Sequence, residues 1–338
     1  MEIDIIFGLL RSALGGGQDN IPEGTDWRRL FSLLQQNHVA ALVSEVFANL
    51  PAGQKPPRQV LIPWLSEREK ATAWYRHQLS VQQEIEALMQ QHGIGTLALK
   101  GTRLAQFYPK PELREFSDLD LYFSNHDEAD RLTQQHLGIT VSNDAHHHSK
   151  YNYRGVTIES HYDFVNRHYP PSNRRFEEVL KKLAPTPTFE VLFQLRHMAG
   201  HFAASRITLR DLVDWHLLTR AHRDSADWDC VARESETSGM ADFAGAVNQI
   251  VENRFGNHVP LPFSADRETT LKIENDTLYG SIQEHKKENL GRLLWKLRRY
   301  SANRWKQRLV YSHDSAWSRL AASLAAHAAK PRSILHKM

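Results

Sequence analysis

Two aspartates one residue apart, Asp118 and Asp120 in FSDLDLYF, are the residues whose type and spacing point most directly to chemistry. The run reads as a strand. Side chains alternate along it, so both carboxylates face one way while Leu119 and Leu121 face the other. Neighbouring acids repel, and each resists ionisation alone. A divalent cation removes that conflict, and Mg2+ takes carboxylate oxygens while keeping positions for substrate phosphates. A third acid comes from VTIESHYDF, where Thr157, Glu159 and His161 alternate with Val156, Ile158 and Ser160. If that strand lies beside the first, Glu159 joins Asp118 and Asp120 at a shared metal site. One carboxylate then helps deprotonate an incoming hydroxyl while two hold the metal. Alone, D-x-D also ends ordinary surface strands, so the motif depends on its context.

Upstream, TLALKG is an apolar run ending in Lys100-Gly101, with Thr102 next and Arg114 shortly before the acids. Glycine at a strand-to-helix turn lets the backbone approach a phosphate, and the start of a TRLAQFY helix offers free N–H groups. Lysine adds charge, and the planar fork of Arg114 suits a phosphate oxygen. The plainer readings are a solvated Lys100 and an Arg114 paired with a neighbouring acid. His197 and His201 are four apart on a helix, but the residue after the first is Met198, where a zincin carries Glu. They read equally as hydrogen-bonded packing residues. Arg210 reads either as the partner of Asp214 or as a substrate contact. His146-His147-His148 reads as a polar loop, and Cys230 as inert.

These residues must be carried by elements. Residues 1–93 have helical periodicity, including WRRLFSLLQQ and a long stretch from about Trp64 to Gln91 that stops at His92-Gly93. Residues 94–170 hold short strands, among them KYNYRGV and VTIESHYDF divided at Gly155, with the amphipathic helix HDEADRLTQQHL interleaved. Residues 171–338 are helical again. The fold class expected is α+β, mostly helical. The 338 residues are 41% hydrophobic and 24% charged, enough for a sizeable core, and no apolar run is long enough to span a membrane. One cysteine excludes an internal disulfide, and Glu2 and Asp4 stand where a secretory leader carries cations, so a cytoplasmic location is expected. The formal charge is only +3, but 286–308 holds nine Lys or Arg against Glu288, with Trp295, Tyr300 and Trp305 interleaved. That segment could grip RNA or anionic lipid, or lie as a basic helix packed on the domain.

LALKGTRLAQFYPKPELREFSDLDLYF followed by IESHYDF resembles the uncharacterised nucleotidyltransferase family of the polymerase β-like superfamily. The matching residues are Lys100, Gly101, Arg114, Asp118, Asp120, Glu159 and His161. TDWRRLFSLLQQNHVAALV, LRHMAGHF, LRDLVDWHLL and KPRSIL extend the resemblance over most of the chain. Two departures stand out. The third acid is often Asp in the family and is Glu159 here, and Lys100-Gly101 replaces the superfamily's Gly-Ser pair. The resemblance implies a small polymerase β-like nucleotidyltransferase core flanked by amino- and carboxy-terminal helical regions. It implies transfer of a nucleoside monophosphate from an NTP to an acceptor, with Mg2+ or Mn2+ on Asp118, Asp120 and Glu159. Lys100, Gly101, Thr102 and Arg114 would bind nucleotide, and His161, His197, His201 and Arg210 would line an acceptor cleft. The acceptor (small molecule, sugar, peptide, protein or RNA) and the oligomeric state stay open. A catalytically weak nucleotide-binding regulator and an RNA-binding module are the alternative readings.

Overall fold

The computed structural model describes residues 2–17, 21–143, 145–280, 301–315, 317–319, 321–322 and 325. The chain divides into two compact units, Met1–Tyr162 and Asp163–Met338. Helix makes up 61% and strand 7%, which settles the class as α+β, mostly helical.

In the first unit, α1 (Glu2–Ala13) places Glu2 and Asp4 in its first turn, where the helix dipole favours acids. For α2 (Trp27–Gln36), the Asp26 side chain caps the start by accepting from the Arg29 N–H at 3.0 Å. After α3 (Ala40–Val43) comes α4 (Arg58–Gln91), which starts earlier than the expected Trp64. Pro63 sits in its second turn, where the missing N–H and ring clash disturb only the helix entry. Val81, Ile85 and Met89 recur along its second half and are fully buried.

These residues cover one face of a four-stranded sheet, β1 (Thr96–Ala98), β2 (Asp118–Phe123), β3 (His148–Tyr153) and β4 (Val156–His161), in the order β1-β2-β4-β3. A one-turn helix, α5 (Thr102–Ala105), follows β1. It is the helical turn that TRLAQFY predicts, and the chain leaves it before Pro109. Between β2 and β3, α6 (His126–Leu137) is capped by Asn125 and stopped by left-handed Gly138. Ala129 and Leu132 of α6 join α4 against Leu119, Leu121, Phe123, Tyr151, Val156 and Ile158. Burying this apolar face on two helices leaves the acids on the other.

β3 and β4 form a hairpin closed by Arg154 (φ 51°) and Gly155 (φ 81°). Two positive φ values in a two-residue loop are the geometry that matches the right-handed twist of the strands. Within the second unit, α7 (Asn173–Leu183), α8 (Pro187–Ala204), α9 (Leu209–Ala221), α10 (Trp228–Thr237), α11 (Ala241–Phe255) and α12 (Arg267–Tyr279) precede a short helix, Arg304–Val310. Thr186 caps α8 ahead of Pro187, and Thr208 with Asp211 forms a capping box on α9. LRHMAGHF and LRDLVDWHLL thus lie in α8 and α9, within the stretch expected to be helical. No helix among the described residues is long and apolar enough to cross a membrane.

Candidate functional site

β2 runs parallel to β4 with Asp118 opposite Thr157, Asp120 opposite Glu159 and Tyr122 opposite His161. Residues opposite one another share a face. Asp118, Asp120, Glu159 and His161 therefore stand on the face that α4 and α6 leave free. β3 adds His148 opposite His161 and Lys150 opposite Glu159. The strand order, rather than any single strand, assembles the group.

Asp120 is its buried centre, 3% exposed. Lys100 Nζ lies 2.9 Å from Asp120 Oδ1, and His161 Nε2 lies 3.1 Å from the same oxygen. Burial alone would raise this carboxyl, but Lys100 and then His161 outweigh it and hold it well below the usual carboxylate range. Asp120 is thus an anion at neutral pH with its charge already answered. Glu159 accepts from Lys150 Nζ at 3.2 Å and has His148 Nε2 at 3.7 Å and His161 Nε2 at 3.9 Å. Asp118, at the entry of β2, is partly buried and accepts from the Ser117 hydroxyl at 3.4 Å.

The turn after β1 is built to hold Lys100 in place. Leu99 N–H donates to the Asp120 carbonyl at 2.9 Å, tying the end of β1 to the acid strand. Gly101 takes φ 55° and ψ −112°, and a Cβ there would meet the Phe116 ring at 3.1 Å. Glycine is required on both counts. Arg114 is buried and donates from Nη1 to the Gly101 carbonyl at 3.2 Å, with its guanidinium 5.7 Å from the Phe116 ring centre. The Thr102 hydroxyl donates to Gln82 Oε1 of α4 at 2.5 Å. Both residues hold the turn by these bonds.

Among the described residues, two groups of side chains have donor atoms mutually within 4.8 Å and could hold a metal ion: Asp120, Glu159 and His161, and His147, His148 and His161. In sequence His147 and His148 of the second group read as part of a polar loop, His146–His148, and His146 and His147 do lie outside the strands. His148 instead opens β3, and the rings of His147, His148 and His161 lie 4.5 to 5.3 Å apart. Burial, helped by the neighbouring imidazoles, lowers His147 well below its usual value. Burial likewise brings His148 down to about 4, although Glu159 opposes it. A signal was available. Counting back from the Arg154-Gly155 turn, a two-residue loop puts His148 opposite His161.

His197, His201 and Arg210 belong to the second unit. The His197 and His201 rings are 4.3 Å apart on α8, and His197 stacks on Phe193 at 6.2 Å. Arg210 Nη2 lies 3.6 Å from Asp211 Oδ1. Of the basic segment 286–308, residues 286–300 lie outside the described residues, as does the KPRSIL tail. In the remainder Lys306 is fully buried with its amino group on Asp276, and Trp305 packs edge-on against Phe202 at 5.3 Å. Those two side chains belong to the packing of the second unit.

The model of the uncharacterised nucleotidyltransferase family matches residues 23–256. Neither a curated protein nor a solved structure matches the chain. The matched stretch contains Lys100, the three acids of the sheet, all three clustered histidines and the α8–α9 helices, and it exceeds half of the sequence. By that match, this chain belongs to the uncharacterised nucleotidyltransferase family.

Proposed function

We propose that the protein is a metal-dependent nucleotidyltransferase that moves a nucleoside monophosphate from an NTP to an acceptor hydroxyl. The observation that carries this is the register of β2 and β4, which sets Asp118, Asp120 and Glu159 on one face beside Lys100. The donor set fits a hard divalent cation, since it offers carboxylate oxygens and the central one is kept ionised. Asp118, Asp120 and Glu159 would hold Mg2+ or Mn2+. When bound, the ion supplies charge neutralisation at the triphosphate and acidifies the acceptor hydroxyl.

The chain's own groups do the rest. Lys100, a flexible point charge, moves from Asp120 to the β and γ phosphates of the incoming donor. Gly101 brings the backbone close to them, and Arg114 keeps that turn in shape through the Gly101 carbonyl. Glu159 takes the proton of the acceptor hydroxyl. The acceptor oxygen forms a bond to the α phosphorus as the bond from that phosphorus to the bridging oxygen breaks, and pyrophosphate leaves with the electron pair. The proton on Glu159 passes to water.

The Lys100–Asp120 contact favours one second reading, a nucleotide-binding protein in which Lys100 keeps the acid occupied and turnover is lost. Transfer of α-labelled NTP in host extract, followed by mass spectrometry of products, separates the two. We expect labelled product from wild type and a loss greater than about 100-fold in Asp120→Asn, beyond what removing a metal's supporting residue costs. Nucleotide-dependent thermal stabilisation without labelled product points to the second reading. Absence of both overturns the assignment.

A further inference from the structure

We propose that His147, His148 and His161 form a nitrogen-rich site for a divalent transition ion of the zinc class, with Glu159 beside it as an oxygen donor. The inference concerns the free protein and does not depend on nucleotide transfer. It starts from the donor accounting of the three rings. Each neutral imidazole carries one N–H and one lone pair. His148 Nδ1 faces His147 Nε2 at 3.3 Å, so one hydrogen serves two ring nitrogens there. The other nitrogen of His147, Nδ1, is sealed from solvent and has no hydrogen-bond partner among the described residues. A polar atom buried in that state costs free energy unless something binds it.

The surroundings favour a cation. His148 Nε2 lies 3.7 Å from Glu159 Oε1, and His161 is anchored at 3.1 Å on Asp120, which acts as an orienting carboxylate behind a ligating imidazole. Donor atoms of the three rings lie within 4.8 Å of one another, a spread that small side-chain rotations close around one ion. The scaffold is stiff, because His148 and His161 are paired across the ends of β3 and β4. Imidazole nitrogen is a poor ligand for Mg2+, which takes oxygen, and a good one for Zn2+, Co2+ and Ni2+. Three histidines and a carboxylate supply the four donors that a tetrahedral zinc ion takes. The site therefore discriminates between ions by donor type, and it shares Glu159 with the carboxylates suited to a different ion.

Co2+ and Zn2+ serve as probes, on full-length protein stripped with a chelator and without nucleotide. In the presence of millimolar Mg2+, wild type should bind one Co2+ with visible ligand-field absorption. His147→Ala and His148→Ala should each weaken that binding by at least about tenfold. The exposed His258→Ala should leave it unchanged. X-ray absorption of Zn2+-loaded wild type requires no variant, so it decides even where a substitution impairs folding. It should show imidazole scattering with zinc–nitrogen distances of about 2.0–2.1 Å. A shell of oxygen alone, displacement of Co2+ by Mg2+, or unaltered Co2+ binding in both histidine variants overturns the proposal.

Discussion

Each unit of this protein contains a buried aspartate held by a lysine, and the two pairs are built differently. In the second unit Lys306 is 0% exposed and its Nζ lies 2.5 Å from Asp276 Oδ2. The same amino group also donates to the Ser205 carbonyl and lies 5.2 Å from the Phe202 ring. Nothing there can move without leaving a charge stranded. In the first unit Lys100 is 18% exposed and reaches Asp120 at 2.9 Å, while His161 independently holds the same oxygen. Asp120 keeps a partner when Lys100 departs. One pair is sealed on every side, while in the other the lysine reaches solvent and the aspartate has a second partner, which under the proposed function lets the cation leave for an arriving anion. A buried charge pair is thus a fastener or a working part according to whether one partner has somewhere else to go.

The first consequence is a difference in stability. Lys306→Met keeps the aliphatic stem but leaves Asp276 uncompensated, and removing one partner of a buried pair costs about 3–5 kcal/mol. Lys100→Met should cost about 1–2 kcal/mol, because His161 stays on Asp120 and the lysine side of the pair reaches solvent. Urea denaturation of both variants measures this. Equal losses would mean that Lys100 is as structural as Lys306.

Histidines extend the contrast. His216 of α9 is 6% exposed, stacks on Phe255 at 4.7 Å, and has an Nδ1 with no hydrogen-bond partner. Burial, then Arg220, brings it down to about 4. Above pH 6.5 it is neutral whether the chain is folded or not. As pH falls from 6.5 to 4 the unfolded chain takes up a proton that the folded one refuses, so stability drops, and below 4 the term is constant. The loss is on the order of 3 kcal/mol across that window. His216→Leu should flatten the decline by that amount relative to wild type in denaturation curves recorded from pH 7 to 4. An unchanged slope would show that His216 is solvated. Unlike His147, His148 and His161, it belongs to no metal-competent cluster among the described residues.

How far the sequence carries can be judged from the same residues. The alternation in SDLDLYF and VTIESH was enough to put Asp118 and Asp120 on one face and Glu159 in phase with His161, because a period of two is a local property. That β2 pairs with β4 in parallel, skipping β3, is a long-range choice made by the burial of Leu119, Leu121 and Ile158 under α4 and α6, and no local pattern encodes it. The short helix after Gly101 is legible for a local reason, since TRLAQFY has helical residues and Pro109 limits it to a turn or two. The histidine cluster was missed because three consecutive residues were weighed as one unit. His147 precedes β3, and only the hairpin register shows that His148 meets His161.

The smallest effect expected is the most specific to the site. Lys100→Ala should weaken binding of an NTP by about tenfold, roughly 1.4 kcal/mol, and binding of the corresponding monophosphate by much less. The reasoning follows from where Lys100 starts. In the free protein its charge neutralises Asp120, so a ligand gains from Lys100 only if it outcompetes that carboxylate. A triphosphate concentrates negative charge at its β and γ groups and can do so, whereas a monophosphate offers less charge to a flexible ammonium on a four-carbon stem. His161 remains on Asp120 throughout, which keeps the cost of the exchange low. Lys306 could not make this move, since Asp276 and the Ser205 carbonyl hold it in a site without solvent. Isothermal titration with both nucleotides at fixed ionic strength reads the difference directly. Equal losses for the two ligands would mean that Lys100 contributes only a general field. No loss for either would leave it solely as the counter-ion of Asp120, and the two lysine–aspartate pairs would then be of one kind.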